Sequence, residues 1–265
     1  MHSMGTPSLW PRKFLRVARY AAVIGAIALV VAGPGCRWGI LPFDVAVRGP
    51  FLVGVLAASG AFVLAGLALC GSRSGRSEPH AWRNWLTFAF GAVVVVAASY
   101  WYGQLHSAPM LHDVSTDTVH PPPFVEVVAR READHASNSA DYAGEYTVDS
   151  VAVNAPEMQK QAYPDVRPVV LKSKPAEAFI AADKAARAMG WEIVASVPAE
   201  GRIEATETTL YFGLKHDIAI RVRSEINGRG SVIDVRSSSR VGANDIGTNA
   251  RRIRAYIERL KQPSR

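Results

Sequence analysis

Cysteine is scarce here, with only Cys36 and Cys70 in 265 residues. Both fall in the apolar first part of the chain, where the pattern puts them at opposite ends of their helices, so a disulfide framework is excluded. The later part has no cysteine at all, which rules out a thiol nucleophile there and suits an oxidising compartment without making use of it. Ser237, Ser238 and Ser239 sit near arginines, but no Gly-x-Ser-x-Gly elbow is present to mark a serine nucleophile. Acidic residues are missing from the middle of three long apolar runs. Net charge is missing from the second part: residues 104–265 hold 21 Lys and Arg against 21 Asp and Glu, so the formal charge of +7 lies entirely in residues 1–103. Internal repeats are lacking as well.

What is there begins with hydrophobicity, 49% of all residues. Three runs, at about residues 14–32, 51–70 and 85–102, reach the roughly 20 residues a helix needs to cross a bilayer. Trp82, Trp85, Tyr100, Trp101 and Tyr102 bracket the third, as interfacial aromatics do. In the second, Ala57, Ala61 and Ala65 recur every four residues and predict a smooth stripe for close helix packing. The basic excess borders these runs, so it reads as an orientation signal and not as a nucleic-acid footprint. Arg12, Lys13, Arg16 and Arg19 precede the first run; Arg73, Arg76 and Arg83, against Glu78, separate the second and third. The positive-inside bias therefore predicts a cytoplasmic N-terminus in a bacterial inner membrane. Three crossings then put everything after Tyr102 on the periplasmic side. A signal peptide competes for the first run, but the Gly33-Pro34-Gly35 stretch before Cys36 offers no processing signal, so an uncleaved helix is expected.

The predicted fold class is α+β: three transmembrane helices, then an exported antiparallel sheet with two helices on one face. Residues 104–162, rich in Pro, His and Asp, read as a connector with short extended pieces at most. Residues 163–265 read as the compact domain. Pro175 and Gly190 bound a helix. Asn227-Gly228 marks a hairpin turn that pairs Ile220 with Val235 and Val222 with Ile233 on one face and Arg221 with Asp234 on the other. That second face, carrying Asp217, Arg221, Arg223, Asp234, Arg236, Ser238 and Arg240, is expected to meet solvent.

Two stretches, "HDVSTDTVHPPPF" at residues 112–124 and the run from Arg202 to Leu260, together resemble an uncharacterised bacterial family, domain of unknown function 1499. The resemblance implies an exported, membrane-associated domain and no established reaction. In that family the hairpin's first strand often opens on two acids, where this chain has His216-Asp217.

Candidate chemistry is sparse. His106, His112, Asp113, Asp117 and His120 are zinc ligand types, but their spacings match no zinc pattern; no metal and no cofactor is predicted. Local turns account for "HDVSTD" more simply. The favoured site is an anion-binding arrangement or structural clamp made by Arg236, Ser238, Arg240, Asn244, Asp245 and Asn249. Asn244 or Asp245 would cap the last helix, and Asp245 would pair with Arg236 or Arg240. The partners expected are the lipid bilayer and an anionic envelope ligand or membrane protein, with no nucleic acid. The function expected is non-catalytic binding or scaffolding in the cell envelope. The alternative is a hydrolase using Asp217 or His216 with neighbouring arginines.

Overall fold

A computed structural model describes residues 10–71, 81–148, 150–225 and 227–262. The chain divides into two compact units, residues 1–104 with Tyr211–Gly213, and the remainder.

The first unit is helical. Helix α1 spans Trp10–Arg37; a short α2, Phe43–Ala46, runs through a π-helical turn at Val47–Phe51 into α3, Leu52–Gly71; α4 spans Ala81–Ser107. Three stretches, Lys13–Arg37, Phe43–Cys70 and Trp82–Ser107, are long and apolar enough to cross a membrane. The π-helical turn falls at Gly49-Pro50, where a proline cannot donate to the helix ladder. The buried stripe of α3 is Gly54, Ala58, Ala61, Ala65 and Ala68, so Ala57 lies beside it and not on it. Close backbone approach explains the small residues: a Cβ on Gly25 would sit 3.0 Å from Gly54 O, and one on Gly91 would sit 2.7 Å from Ala58 O. The loop carrying Arg73, Arg76 and Glu78 lies outside the described residues.

The second unit is α+β, with an antiparallel sheet as the sequence predicts. Its strands are β1 (Asp113–Ser115), β4 (Val169–Leu171), β5 (Glu192–Val197), β6 (Arg202–Thr208), β7 (Lys215–Ser224) and β8 (Ser231–Ser239), ordered β1-β8-β7-β6-β5, with β4 also on β8. β2 (Glu145–Val148) and β3 (Val151–Asn154) form a separate ribbon. The helices are α5 (Val127–Ala133), α6 (Ala155–Ala162), α7 (Pro175–Ala188) and α8 (Thr248–Lys261). The hairpin register matches the expectation: Ile220 faces Val235, Val222 faces Ile233 and Arg221 faces Asp234.

Helices α7 and α8 cover one sheet face, burying Phe179, Ala182, Ile203, Ile218, Ile220, Ile233, Val235, Ile253 and Tyr256 in one core. The expectation of a solvated opposite face fails for Asp217, Asp234, Arg236, Ser238 and Arg240, which are buried; Arg221 is half-buried and only Arg223 is exposed. Every residue of β8 is buried, on both faces. Residues read as a connector supply the cover: they contain α5 and α6 besides extended pieces, and Phe124 and Val127 pack on Ala219. Edge strands β1 and β4 share β8 lengthwise, and Thr116 fills the gap between them, since its N–H donates to Val235 O and its hydroxyl accepts from Val235 N–H. The outer edge of β1 is closed by the buried Gln159, whose amide exchanges two bonds with the Ser115 backbone.

Candidate functional site

Strand parity builds the site. On the face away from α7 and α8, the register aligns Asp113, Ser238, Asp217, Thr206 and Glu192 in one row across five strands. The next row on one side holds Arg236, Ala219 and Glu204; on the other side Arg240 stands beside Lys215. Covering such a face is costly unless each charge finds a partner, and nearly all do.

Arg236, 2% exposed, makes three bonds to the Asp113 carboxylate at 2.6–3.1 Å and donates to Ala140 O and Pro122 O. Its guanidinium lies 4.3 Å from the Phe124 ring centroid. Asp217, with no exposed surface, accepts from Arg131, from two Arg240 nitrogens and from the Thr206 hydroxyl at 2.7–2.9 Å. Arg240 also bonds Asp134, which takes Lys215 Nζ at 2.6 Å on the same oxygen. Glu204 accepts from the backbone N–H groups of Val125, Glu126 and Val127, so a carboxylate on β6 caps α5 and fixes it over the sheet. Asp234 binds Arg221 and Arg223 through one oxygen, and Arg221 continues to Asp117 and His120 O.

His216 belongs to the other face. It is buried, its Nδ1 lies 2.9 Å from Ser239 Oγ, and its pKa is pushed down to about 3 by burial and by Arg252, against Asp217. Asn249, fully buried, ties α8 to β8 and β1: its amide donates to Ser239 Oγ and His112 O, and its oxygen accepts from Ser237 and Arg252.

The expected Asp245 clamp is corrected. Arg236, Ser238 and Arg240 are even-numbered positions of β8 and its extension, on the polar face; Ser237 and Ser239 are odd-numbered and face α8. Asp245 and Asn249 stand on the helix side, so the sheet separates them from both arginines. Asp245 instead accepts from Gly247 N–H and Asn249 N–H, each at 2.7 Å, and Asn244 accepts from Ile246 N–H. The cap is real, but its partners are amides. Burial pushes the Asp245 carboxyl up, with those amides and two arginines opposing. Ile246 sits at φ 54°, a costly region for a β-branched residue, and these capping bonds hold it there.

The two acidic zinc candidates are engaged elsewhere, while His112 Nδ1 is buried without a hydrogen-bond partner. Asp113 is held by Arg236, Asp117 accepts from Val119 and His120 N–H, and the His112 ring lies 4.9 Å from that of Tyr146. Among the described residues no group of three or more His, Cys, Asp or Glu side chains could hold a metal ion.

Sequence reasoning missed Arg130, Arg131, Asp134, Thr206, Lys215 and Glu204. The signal was partly present: Val127 and Arg131 are four apart in "VVARREA", a helical spacing, and Glu204 and Thr206 alternate with Ile203 and Ala205. Arg130, Asp134, Thr206 and Lys215 line an open cleft of about 150 Å³, walled further by Ala133, Glu192 and Arg240, and Arg131 stands behind it on Asp217. It converges on Arg240 but on neither Arg236 nor the Asp245 loop.

No curated protein and no solved structure matches the chain. The model of one family, described as a protein of unknown function (DUF1499), matches residues 113–260, from the first strand of the sheet to the last helix and across both sides of the buried polar face. The chain therefore belongs to the DUF1499 family.

Proposed function

We propose that this chain is a multi-pass inner-membrane protein with a cytoplasmic N-terminus, and that its sheet domain lies in the periplasm and binds or scaffolds envelope components without catalysing a reaction. Three membrane-length helices and the basic flanks support the topology. Exposed aromatics at both ends of α4, among them Trp82, Trp85, Tyr100 and Tyr102, suit the two interfaces. The observation that carries the binding reading is the state of the groups a hydrolase would use. His216 is buried and its pKa near 3 makes it a poor base at neutral pH, while Asp217 has no exposed surface and three arginine bonds. A general base needs access to its proton and a pKa near the working pH. The open cleft offers cations, two carboxylates and a hydroxyl already donated to Asp217, which is the equipment of recognition.

A photo-crosslinking residue placed at position 133, in the cleft wall, tests this in native membranes with the full chain. A defined adduct is expected, lost in Lys215→Glu and kept in His216→Gln. No adduct in the wild type, or turnover of an envelope substrate that vanishes with His216→Gln, overturns the reading.

A further inference from the structure

We propose that the cleft beside α5 takes one phosphate group, held by Lys215, Arg130 and Arg240, and that the Asp134 carboxylate is the internal anion the phosphate displaces. The proposal rests on the binding reading above and names its ligand class.

Charge is the first argument. The linked groups in and behind the cleft are four cations, Arg130, Arg131, Lys215 and Arg240, against three carboxylates, Asp134, Glu192 and Asp217. This set is one negative charge short. Arg131 and Arg240 have side chains only 3% and 4% exposed, while Arg130 and Lys215, at 46% and 42%, present their charge where a ligand can reach it.

Asp134 is the second argument. It follows the last turn of α5, where the helix carbonyls disfavour a carboxylate. The next residue, His135, sits at φ 51°, unusual away from glycine. One oxygen of Asp134 serves both Lys215 and Arg240, and the side chain is 37% exposed, so it can turn into water when a better acceptor arrives.

Phosphate suits the cleft better than a carboxylate ligand does. Asp134 already offers a carboxylate without the entropy cost of association, so an external anion must bring more charge and more acceptors to displace it. A phosphate monoester carries about −1.5 to −2 at pH 7 and three strong acceptor oxygens, enough for Lys215, Arg130 and the Arg240 nitrogen now on Asp134. At about 150 Å³ the cleft is several times one water's share of liquid volume and smaller than a drug-sized pocket. It fits the phosphate group, with any ester substituent left outside. Free phosphate and a phosphate-monoester lipid headgroup share this chemistry.

The test is calorimetric titration of the full chain in detergent micelles with inorganic phosphate, at ionic strength held constant with chloride. Wild type is expected to bind. Lys215→Gln should bind about tenfold more weakly or worse, the loss of one charge-assisted hydrogen bond, and Asp134→Asn more tightly, its competitor removed. Both side chains are part-exposed, so folding survives, and amide exchange of β8 checks it. Repeating the titration in bilayer discs separates the sources. With phosphatidic acid present, a lipid-filled site shows no further phosphate uptake; a site for free phosphate titrates as it does in phosphatidylcholine alone. No binding by either wild type or Asp134→Asn up to on the order of 10 mM phosphate, or equal binding by Lys215→Gln, overturns the proposal. If the position-133 adduct persists, that failure touches the phosphate assignment alone; if the wild type forms no adduct, the binding reading itself fails.

Discussion

Removing Asp113 should be among the most damaging single changes in the sheet domain, and the damage should shrink when Arg236 is removed with it. Asp113→Ala deletes all three carboxylate bonds of a guanidinium that is 2% exposed. Breaking a buried pair from one side costs about 3–5 kcal/mol. Arg236 keeps the Ala140 and Pro122 carbonyls and the Phe124 ring, whose face is worth up to about 2 kcal/mol to a desolvated cation, so the low end, about 3 kcal/mol, is expected. Arg236→Met strands the Asp113 carboxylate instead and should cost about as much. Together the two changes leave no buried charge, only two carbonyls without their donor, at about 1–3 kcal/mol in all. The double variant should therefore fall short of the summed singles by about 3–5 kcal/mol. Hydrogen exchange of the β8 amides in the detergent-solubilised full chain reads opening of the sheet irrespective of the membrane helices. A 3 kcal/mol loss appears there as roughly hundredfold faster exchange. If the two costs add to within about 0.5 kcal/mol, or if Asp113→Ala costs less than about 1 kcal/mol as an exposed pair would, the polar face is not a buried ion network.

His216 should make the domain acid-sensitive: its folded pKa lies near 3, below the ordinary 6.5 of the unfolded chain, so its contribution is complete above 6.5 and is lost as pH falls toward 3. Unfolding followed against pH should lose that slope in His216→Gln; an unchanged slope would mean the ring is accessible to protons in the fold. Asp245→Ala should cost about 1–2 kcal/mol, the upper range for a lost cap because two buried amides lose their acceptor. Its cost should be independent of Arg236 and Arg240, which a double-mutant cycle checks. Asp234→Ala should cost about 1–3 kcal/mol, more than a surface pair, since its side chain is fully buried under Arg221 and Arg223; Ile220→Asp, which places a charge in the apolar core, should prevent folding, and similar damage from both would mean that the faces are misassigned. A reporter enzyme active only after export, fused after Leu260, should be active, and silence there with a working cytoplasmic reporter would reverse the topology.

Local pattern carried the hairpin a long way. Alternation and one Asn-Gly turn sufficed to pair Ile220 with Val235 and Arg221 with Asp234, because register follows from period-two geometry and hydrophobic matching within a few dozen residues. The same alternation says which side of β8 each residue faces, and it already forbids a bond between Asp245 and Arg236 once α8 is placed on the side of Val235. What alternation does not contain is the cover. A strand reading Asp217, Ala219, Arg221 looks solvated, and only a partner from roughly a hundred residues earlier, Asp113 for Arg236 or Arg131 for Asp217, changes that meaning. Glu204 is the sharper case, since nothing near it in sequence announces that its carboxylate caps a helix 77 residues upstream.

That cover bears on what the domain is for. Apolar residues of similar volume could fill the polar face at equal or lower cost, so its ion pairs are weak grounds for stability. What distinguishes charges from an apolar filling is that they must meet particular partners in a particular geometry. Segments 113–142 can lie on this sheet only where Asp113 meets Arg236, Arg131 meets Asp217 and the start of α5 meets Glu204. A cover held by such pairs has one register, and α5 is fixed together with Arg130, Ala133 and the following Asp134, which wall one side of the cleft. Loosening the network at Glu204 should therefore alter the cleft before it unfolds the sheet. Glu204→Gln halves the acceptors for the three amides leading into α5 while keeping the side chain's shape. Amide exchange should then rise at Val125 to Val127 well ahead of β8, with phosphate affinity in the cleft falling alongside; simultaneous loosening of β8 would show that the cover and the sheet are one cooperative unit and that the pairs do not set the cleft independently.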